Sequence, residues 1–401
     1  MISKEYIRLN NLIEQIDFVL SSDFPYRAPK EALIILKNEA LNRVEDIKNV
    51  CSYSELEDDI KIEIGEFIKE VTEYTGFLLR STHVRNPIES YLGISKIAKD
   101  ILGQDVNVVL SSEWRASPFH KPAKLDSLKR FVFIGMPVTE SQNALLLPLS
   151  GHEIGHVIWN EMENNKKLNN LKKNIKICIN KREEDNLLTH LKVEYIERCV
   201  YSRCKEVFCD FIGYRIFNIA FWHSFIYYTS TSSLLNSYSD IYPSFLKRLE
   251  YLKLYLSHIG DENINHIETH LYYEKKKNQE ESPWKTVFYK FLDEILDEVV
   301  QDIIKVANKQ KIHNYYNKQN IKKIKEWISR TMSPPNHEYN IVDIVNAGWE
   351  VFNDVDIMWN EYFQDDDYLE KYKTLNNILL KTMEVSDFIG LVETGGQQRM
   401  G

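Results

Sequence analysis

Apolar residues recur at three- and four-residue intervals along most of the chain, a spacing typical of helices that bury one face. In the N-terminal part this spacing predicts four helices, at Leu9–Leu20, Pro29–Val50, Leu56–Leu79 and Ile88–Ile101. Residues that interrupt helices are scarce, with 14 Gly and 11 Pro among 401 residues. We therefore expect a predominantly α-helical protein.

Two short segments depart from the helical spacing. Val106–Leu110 and Arg130–Gly135 are rich in β-branched and aromatic residues, and both are predicted to be strands. Arg115–Leu125 is predicted to be the loop between them. The second segment, RFVFIG, is interpreted as an edge strand that can hold an extended peptide. The predicted fold class is thus α+β, mostly helical with a small sheet.

Helical spacing returns from Ser141 onward. Glu161–Arg198 is a polar segment with Lys and Asn runs, and it is predicted to be an exposed helical insertion. Cys199–Tyr228 predicts a long apolar helix or a broken pair of helices. Tyr242 and Pro243 precede a further predicted helix that reaches about His258.

The C-terminal part of the chain is also predicted to be helical. Lys275–Pro283 is the best candidate for a linker, and Gly395–Gly401 is predicted to be a disordered tail. Between them the apolar spacing predicts helices at Trp284–Ala307, Ile321–Met332, Ile341–Phe352 and Tyr368–Phe388.

Composition and charge narrow the partners and the compartment. The formal net charge of -9 argues against a nucleic-acid partner, because phosphate binding needs a clustered positive excess. The N-terminal residues lack the pattern of a signal peptide, and the most apolar stretch, Phe211–Tyr228, is too polar for a membrane span. Five cysteines without CxxC spacing indicate reduced thiols. We therefore expect a cytoplasmic protein without a membrane partner.

The chemistry is concentrated in the segment Gly151–His156, which reads GHEIGH. On a helix, His152 and His156 lie one turn apart on the same face, so both imidazoles can bind one ion. Glu153 follows the first histidine and can act as the general base on a water molecule at that ion. The flanking residues are apolar, which predicts that the motif is buried, and buried ionisable groups are costly unless paired or metal-bound.

A second pair of acidic residues follows in the apolar sequence of the predicted helix Cys199–Tyr228. Glu206 and Asp210 are four residues apart and therefore share one helical face. Glu206 can supply a third protein ligand, which leaves one coordination position open. Asp210 then suits a role behind the ligands, accepting the free ring N–H of a histidine.

These residues resemble the thermolysin-type zinc peptidases, the gluzincins, in which HExxH is followed by a glutamate ligand and an aspartate four residues later. The resemblance implies that His152, His156 and Glu206 bind one Zn2+ per chain, with Glu153 as the base and Asp210 orienting His152. The sequence departs from the pattern in two places: the gap before Glu206 is longer than in thermolysin, and Cys209 stands where those enzymes often have Ser or Ala.

The resemblance also implies an organisation. It implies a zincin-like catalytic core at residues 105–260, while the sequence pattern itself predicts the polar insertion at 161–198 and the helical regions at 1–104 and 261–401, which the resemblance does not cover. The predicted function is a zinc metallopeptidase that hydrolyses a protein or peptide substrate. Tyr242 is predicted to donate a hydrogen bond to the oxyanion, with Arg248 as the alternative. Because such a site would endanger cytoplasmic proteins, we expect a selective or latent enzyme, with the flanking helices or a regulatory protein partner restricting it.

Other interpretations remain open. The chain could be a zinc hydrolase of a non-peptide amide, or a non-enzymatic helical scaffold in which the motif is degenerate. Cys199 and Cys204 could supply a thiolate ligand, although core packing is the preferred interpretation of both. Arg115 and His120 could line a cleft.

Overall fold

The computed structural model describes most of the chain as two compact units. The described residues are 4–51, 58–82, 88–115, 117–182, 192–230, 239–267, 283–335, 338–359, 361–363 and 367–398. The first unit comprises residues 1–143 and 383–401, and the second comprises residues 144–382. The three-region division expected from the sequence stays a prediction.

The first unit begins with the four predicted helices. They are α1 (Lys4–Leu20), α2 (Ala28–Cys51), α3 (Asp58–Leu79) and α4 (Ile88–Leu102). Helix α1 packs against α2 and α3, and the apolar positions that predicted these helices form their common core. Leu9, Ile16 and Leu33 in this core are completely buried. The periodicity therefore identified both the helices and their buried faces.

The sheet of the first unit has three strands in the order β1-β3-β2. The strands are β1 (Asn107–Glu113), β2 (Phe119–Lys121) and β3 (Phe131–Pro137). Strand β3 pairs in parallel with β1 and antiparallel with β2. The interpretation of RFVFIG as an edge strand is therefore wrong, because β3 is bonded on both sides. All seven β3 residues are buried, as expected of a central strand.

The second unit is built around one helix that carries half of the candidate site. Its N-terminal part contains a 3-10 helix (Ala144–Leu149) and the helices α5 (Ser150–Asn164), α6 (Asn169–Asn180), α7 (Val193–Phe217), α8 (Ile219–Ser230) and α9 (Phe245–Ile259). Helix α7 contacts α5, α6, α8 and α9. Every residue from Glu206 to Tyr214 is buried, which explains why this segment is apolar on all sides.

The predicted apolar segment Cys199–Tyr228 is a broken pair of helices. The break lies at Asn218, whose φ of 54° ends α7 before α8 begins. Asn346 bridges the break: its Nδ2 donates to the carbonyl of Phe217 at 2.8 Å, and its Oδ1 accepts from the amide of Ala220 at 3.0 Å. This side chain therefore satisfies backbone groups that the break would otherwise leave without helical partners.

The remaining helices complete the second unit and continue beyond it. They are α10 (Pro283–Asn308), α11 (Lys318–Ile328), α12 (Ile341–Asn353), α13 (Val355–Met358) and α14 (Tyr368–Gln398). The predicted linker lies outside the described residues except for Pro283, where α10 begins. The predicted disorder from Gly395 is wrong as far as Gln398, because α14 continues through it.

The polar insertion is less exposed than its composition suggested. Its described residues include α6, which buries Leu171, Ile175 and Ile179. Helix α6 packs against α7 and α10, so only the opposite face, which carries the lysines, is exposed. The prediction of an exposed excursion is thus wrong for α6, because one face of this amphipathic helix is buried.

The predicted fold class is confirmed at the level of a mainly helical chain with one small sheet. Within the described part of the chain, no helix has both the length and the apolar character required to cross a membrane.

Candidate metal centre

Two glycines allow helices α5 and α7 to approach closely enough to form the site. A Cβ atom at Gly155 would lie 2.8 Å from the Cα of Cys209, and one at Gly151 would lie 3.0 Å from the Cα of Gly213. Both distances are shorter than ordinary van der Waals contact. The absence of side chains at 151 and 155 therefore brings the polar residues of the two helices together.

One carboxylate of α7 faces both histidines of α5. The Glu206 Oε2 atom lies 3.2 Å from His152 Nε2, and its Oε1 atom lies 3.8 Å from His156 Nε2. The centroids of the two imidazole rings are 4.8 Å apart and their planes are nearly perpendicular, at 84°. The Nε2 edges of both rings thus converge on Glu206.

The opposite edges of the two rings also contact α7. His152 Nδ1 lies 2.9 Å from Asp210 Oδ1, and His156 Nδ1 lies 3.3 Å from Cys209 Sγ. Positions 206, 209 and 210 share one helical face because residues three and four apart are neighbours on a helix. A single face of α7 therefore contacts both nitrogens of each histidine.

Helix α9 adds a cation behind Asp210. The Nε and Nη2 atoms of Arg248 donate to the two Asp210 oxygens at 2.7 and 2.6 Å, a bidentate contact. Burial alone would raise the pKa of Asp210, but the Arg248 charge and the His152 hydrogen bond outweigh it and hold that pKa below its ordinary value. Arg248 is therefore engaged with Asp210, a contact that the sequence analysis did not anticipate.

Three carboxylates are buried in this cluster. Glu153, Glu206 and Asp210 are 4%, 5% and 2% exposed, and Arg248 forms an ion pair with Asp210. Burying carboxylates is costly unless cations or hydrogen bonds compensate them. Burial opposes protonation of His152, but its bonds to Asp210 and Glu206 prevail and raise its pKa to about 10.

The donor atoms fit a divalent metal ion. Ligand atoms of His152, His156 and Cys209 lie within 4.8 Å of one another, and the carboxylate of Glu206 faces the two rings. Two imidazole nitrogens and one carboxylate oxygen form a ligand set that zinc accepts with one position left open. A dication would also compensate the negative charge of the buried carboxylates.

Tyr242 lies beside this cluster. Its side chain is about half exposed, at 48%, so it borders both the site and solvent. The negative charge of Glu206, together with partial burial, raises the pKa of Tyr242 to about 12, while Arg248 acts in the opposite direction. The phenol therefore keeps its proton at neutral pH and can donate a hydrogen bond.

Other sequence candidates lie elsewhere. Arg115 and His120 line an open groove of about 510 Å3 within the first unit. Cys199 and Cys204 are buried, in agreement with core packing. Cys178, Cys199, Cys204 and Cys209 are free thiols.

Comparison of the chain with family models, with curated proteins and with solved structures finds no match. The resemblance to gluzincins accordingly rests on the motif residues, and the site must be interpreted from its own geometry.

Proposed function

We propose that this chain is a zinc-dependent metallopeptidase with a zincin-like core. One observation carries the proposal: both Nε2 edges of the HExxH histidines converge on the buried Glu206 carboxylate. The ligands would be His152, His156 and Glu206. A zinc ion held there would polarise a scissile carbonyl and lower the pKa of a water molecule.

The other residues of the cluster have separate roles in this proposal. Asp210 accepts the Nδ1 proton of His152, which fixes the tautomer that leaves Nε2 free for the metal. Arg248 holds Asp210 through two hydrogen bonds and keeps it ionised. Contacts among α5, α7 and α9 thus fix the orientation of His152.

Glu153 and Tyr242 act on the substrate side. Glu153 is not a ligand in this proposal; its carboxylate accepts the proton of the attacking water and later passes it to the leaving amine. Tyr242 donates its phenolic proton in a hydrogen bond to the carbonyl oxygen as negative charge develops there.

The proposal is tested by separating metal binding from hydrolysis. Protein purified without chelator should contain about one zinc per chain, and Glu153→Gln should keep the zinc while losing nearly all peptide hydrolysis. Glu163→Gln is a matched control, because Glu163 lies on the same helix but contacts Lys172 at the surface. Absence of metal, or full activity of Glu153→Gln, would refute the proposal.

We also propose that the enzyme is selective or latent and acts in the cytoplasm, with a regulatory protein partner as one means of control. The zinc-loaded protein should leave casein largely intact while it cuts one or a few proteins in an extract of its own cells. Rapid digestion of casein would refute selectivity but not the zinc chemistry. Zinc binding without peptide hydrolysis would instead favour a non-peptide amide as the substrate.

A further inference from the structure

We propose that Cys209 is a positioning residue that orients His156, as Asp210 orients His152. The proposal rests on the proposed metal site and deepens it. Its basis is the 3.3 Å contact between Cys209 Sγ and His156 Nδ1. Cys209 also offers a possible ligand atom, since its sulfur lies within 4.8 Å of donor atoms of both histidines. The two roles are distinct, and the geometry favours the first.

The argument begins with the edges of the rings. One ion that faces Glu206 meets Nε2 of His152 and Nε2 of His156, because both atoms point at that carboxylate. The Nδ1 atoms then lie on the edges turned away from the ion. Asp210 contacts one of these edges at 2.9 Å and Cys209 contacts the other at 3.3 Å. Cys209 thus contacts Nδ1 of His156 in the same way that Asp210 contacts Nδ1 of His152.

Metal binding through Nε2 would determine which nitrogen of His156 carries the proton. A ligand histidine must present an unprotonated nitrogen to the metal, so the ring proton of His156 must be on Nδ1. There it can donate to the sulfur of Cys209, which is a weak acceptor. Partners of this kind fix the ring orientation and the tautomer of metal-binding histidines. A smaller apolar residue at 209 would remove the acceptor.

The position of the sulfur is fixed by packing. Cys209 is completely buried and its backbone lies directly against Gly155, the residue before His156. The close approach of α5 and α7 therefore fixes the distance between the sulfur and the ring. Cys204 is equally buried on the same helix and provides a matched control for substitution of a core cysteine.

Three variants test the proposal through zinc affinity, measured by competition with a chromophoric chelator. Cys209→Ala should weaken zinc binding about tenfold, at the lower end of the range for such partners because sulfur accepts weakly. Cys209→Ser keeps an acceptor and should remain within about threefold of the unaltered protein. Cys204→Ala should leave zinc affinity unchanged. Equal affinity of Cys209→Ala and the unaltered protein would overturn the proposal.

Two spectroscopic measurements add readouts independent of activity. In metal-free protein, side-chain 15N shifts report the tautomer of His156, and Cys209→Ala should shift the tautomer population; no shift would overturn the proposal. The cobalt-substituted protein should lack a sulfur-to-cobalt charge-transfer band, whereas a band that disappears in Cys209→Ser would make Cys209 a ligand instead. If the chain binds no metal, the proposed function fails, and the tautomer measurement still decides this inference.

Discussion

Gly155→Ala tests the idea that close packing of α5 on α7 creates the metal site. The added Cβ would lie 2.8 Å from the Cα of Cys209, about 0.6 Å short of ordinary contact, which begins at 3.4 Å. The nearest atom belongs to the backbone, so no rotation of a side chain can relieve the clash. The helices must separate instead, and overpacking of this kind costs about 1–3 kcal/mol of unfolding free energy.

Helix propensity and the tolerance of metal ligands to displacement also determine how much stability and zinc affinity should change. Alanine improves helix propensity by about 0.5–1 kcal/mol over glycine, so the net loss of unfolding free energy should be about 0–2.5 kcal/mol. Metal ligands tolerate displacements of only about 0.2 Å, and the required separation exceeds this. His156 Nε2 and Glu206 Oε1 are 3.8 Å apart before any separation of the helices. Moving α5 away from α7 would lengthen this distance, so we expect zinc affinity to fall about tenfold or more.

The assay pairs urea unfolding with zinc competition, and Gly65→Ala is the control. Gly65 lies within α3, and a Cβ atom there meets nothing within 4 Å. Gly65→Ala should therefore raise stability by about 0.5–1 kcal/mol and leave zinc binding unchanged. Adding Cys209→Ala to Gly155→Ala should not restore stability, because the backbone contact remains. Wild-type stability and zinc affinity in Gly155→Ala would refute the packing argument.

Three other predictions concern single residues. Asp210→Asn should weaken zinc affinity or turnover by about 10–100-fold, because His152 loses its charged acceptor and Arg248 its partner; an unchanged zinc titration would exclude this role. Tyr242→Phe should lower turnover while zinc content stays constant, and unaltered turnover would exclude the donor role. Burial, partly offset by hydrogen bonds, raises the pKa of Asp343 to about 6. Because the pKa is raised, the protonated side chain stabilises the fold at low pH, and this contribution is lost as pH rises through 6. The unfolding free energy of the unaltered protein should therefore fall by roughly 1–3 kcal/mol between about pH 4 and 6, as measured by urea titration. In Asp343→Asn this fall should be absent.

The helices of the first unit could be predicted from sequence because each buries a regular apolar stripe. Strand β2 could not, since its three residues are too few to show an alternation and lie in a predicted loop. The central position of β3 was also missed. Its unbroken apolar sequence is typical of a strand buried on both faces, and that signal argues against an edge strand.

The members of the site could be predicted in part, because helical spacing alone places His152 beside His156 and Glu206 beside Asp210. Spacing does not say which ring edge a carboxylate meets, since that depends on how α5 packs against α7. The contact of Arg248 with Asp210 joins residues 38 positions apart on different helices, so no local pattern reveals it. The Cys209 contact had one available signal, its position three residues after Glu206 on the same face.

The break at Asn218 has a consequence for the order of synthesis. The carbonyl of Phe217, the last residue of α7, receives its hydrogen bond from Asn346, which the ribosome adds 129 residues later. A nascent chain therefore contains all the proposed zinc ligands well before it contains the side chain that completes the end of their helix. We expect metal capture by the growing chain to lag behind translation of the motif.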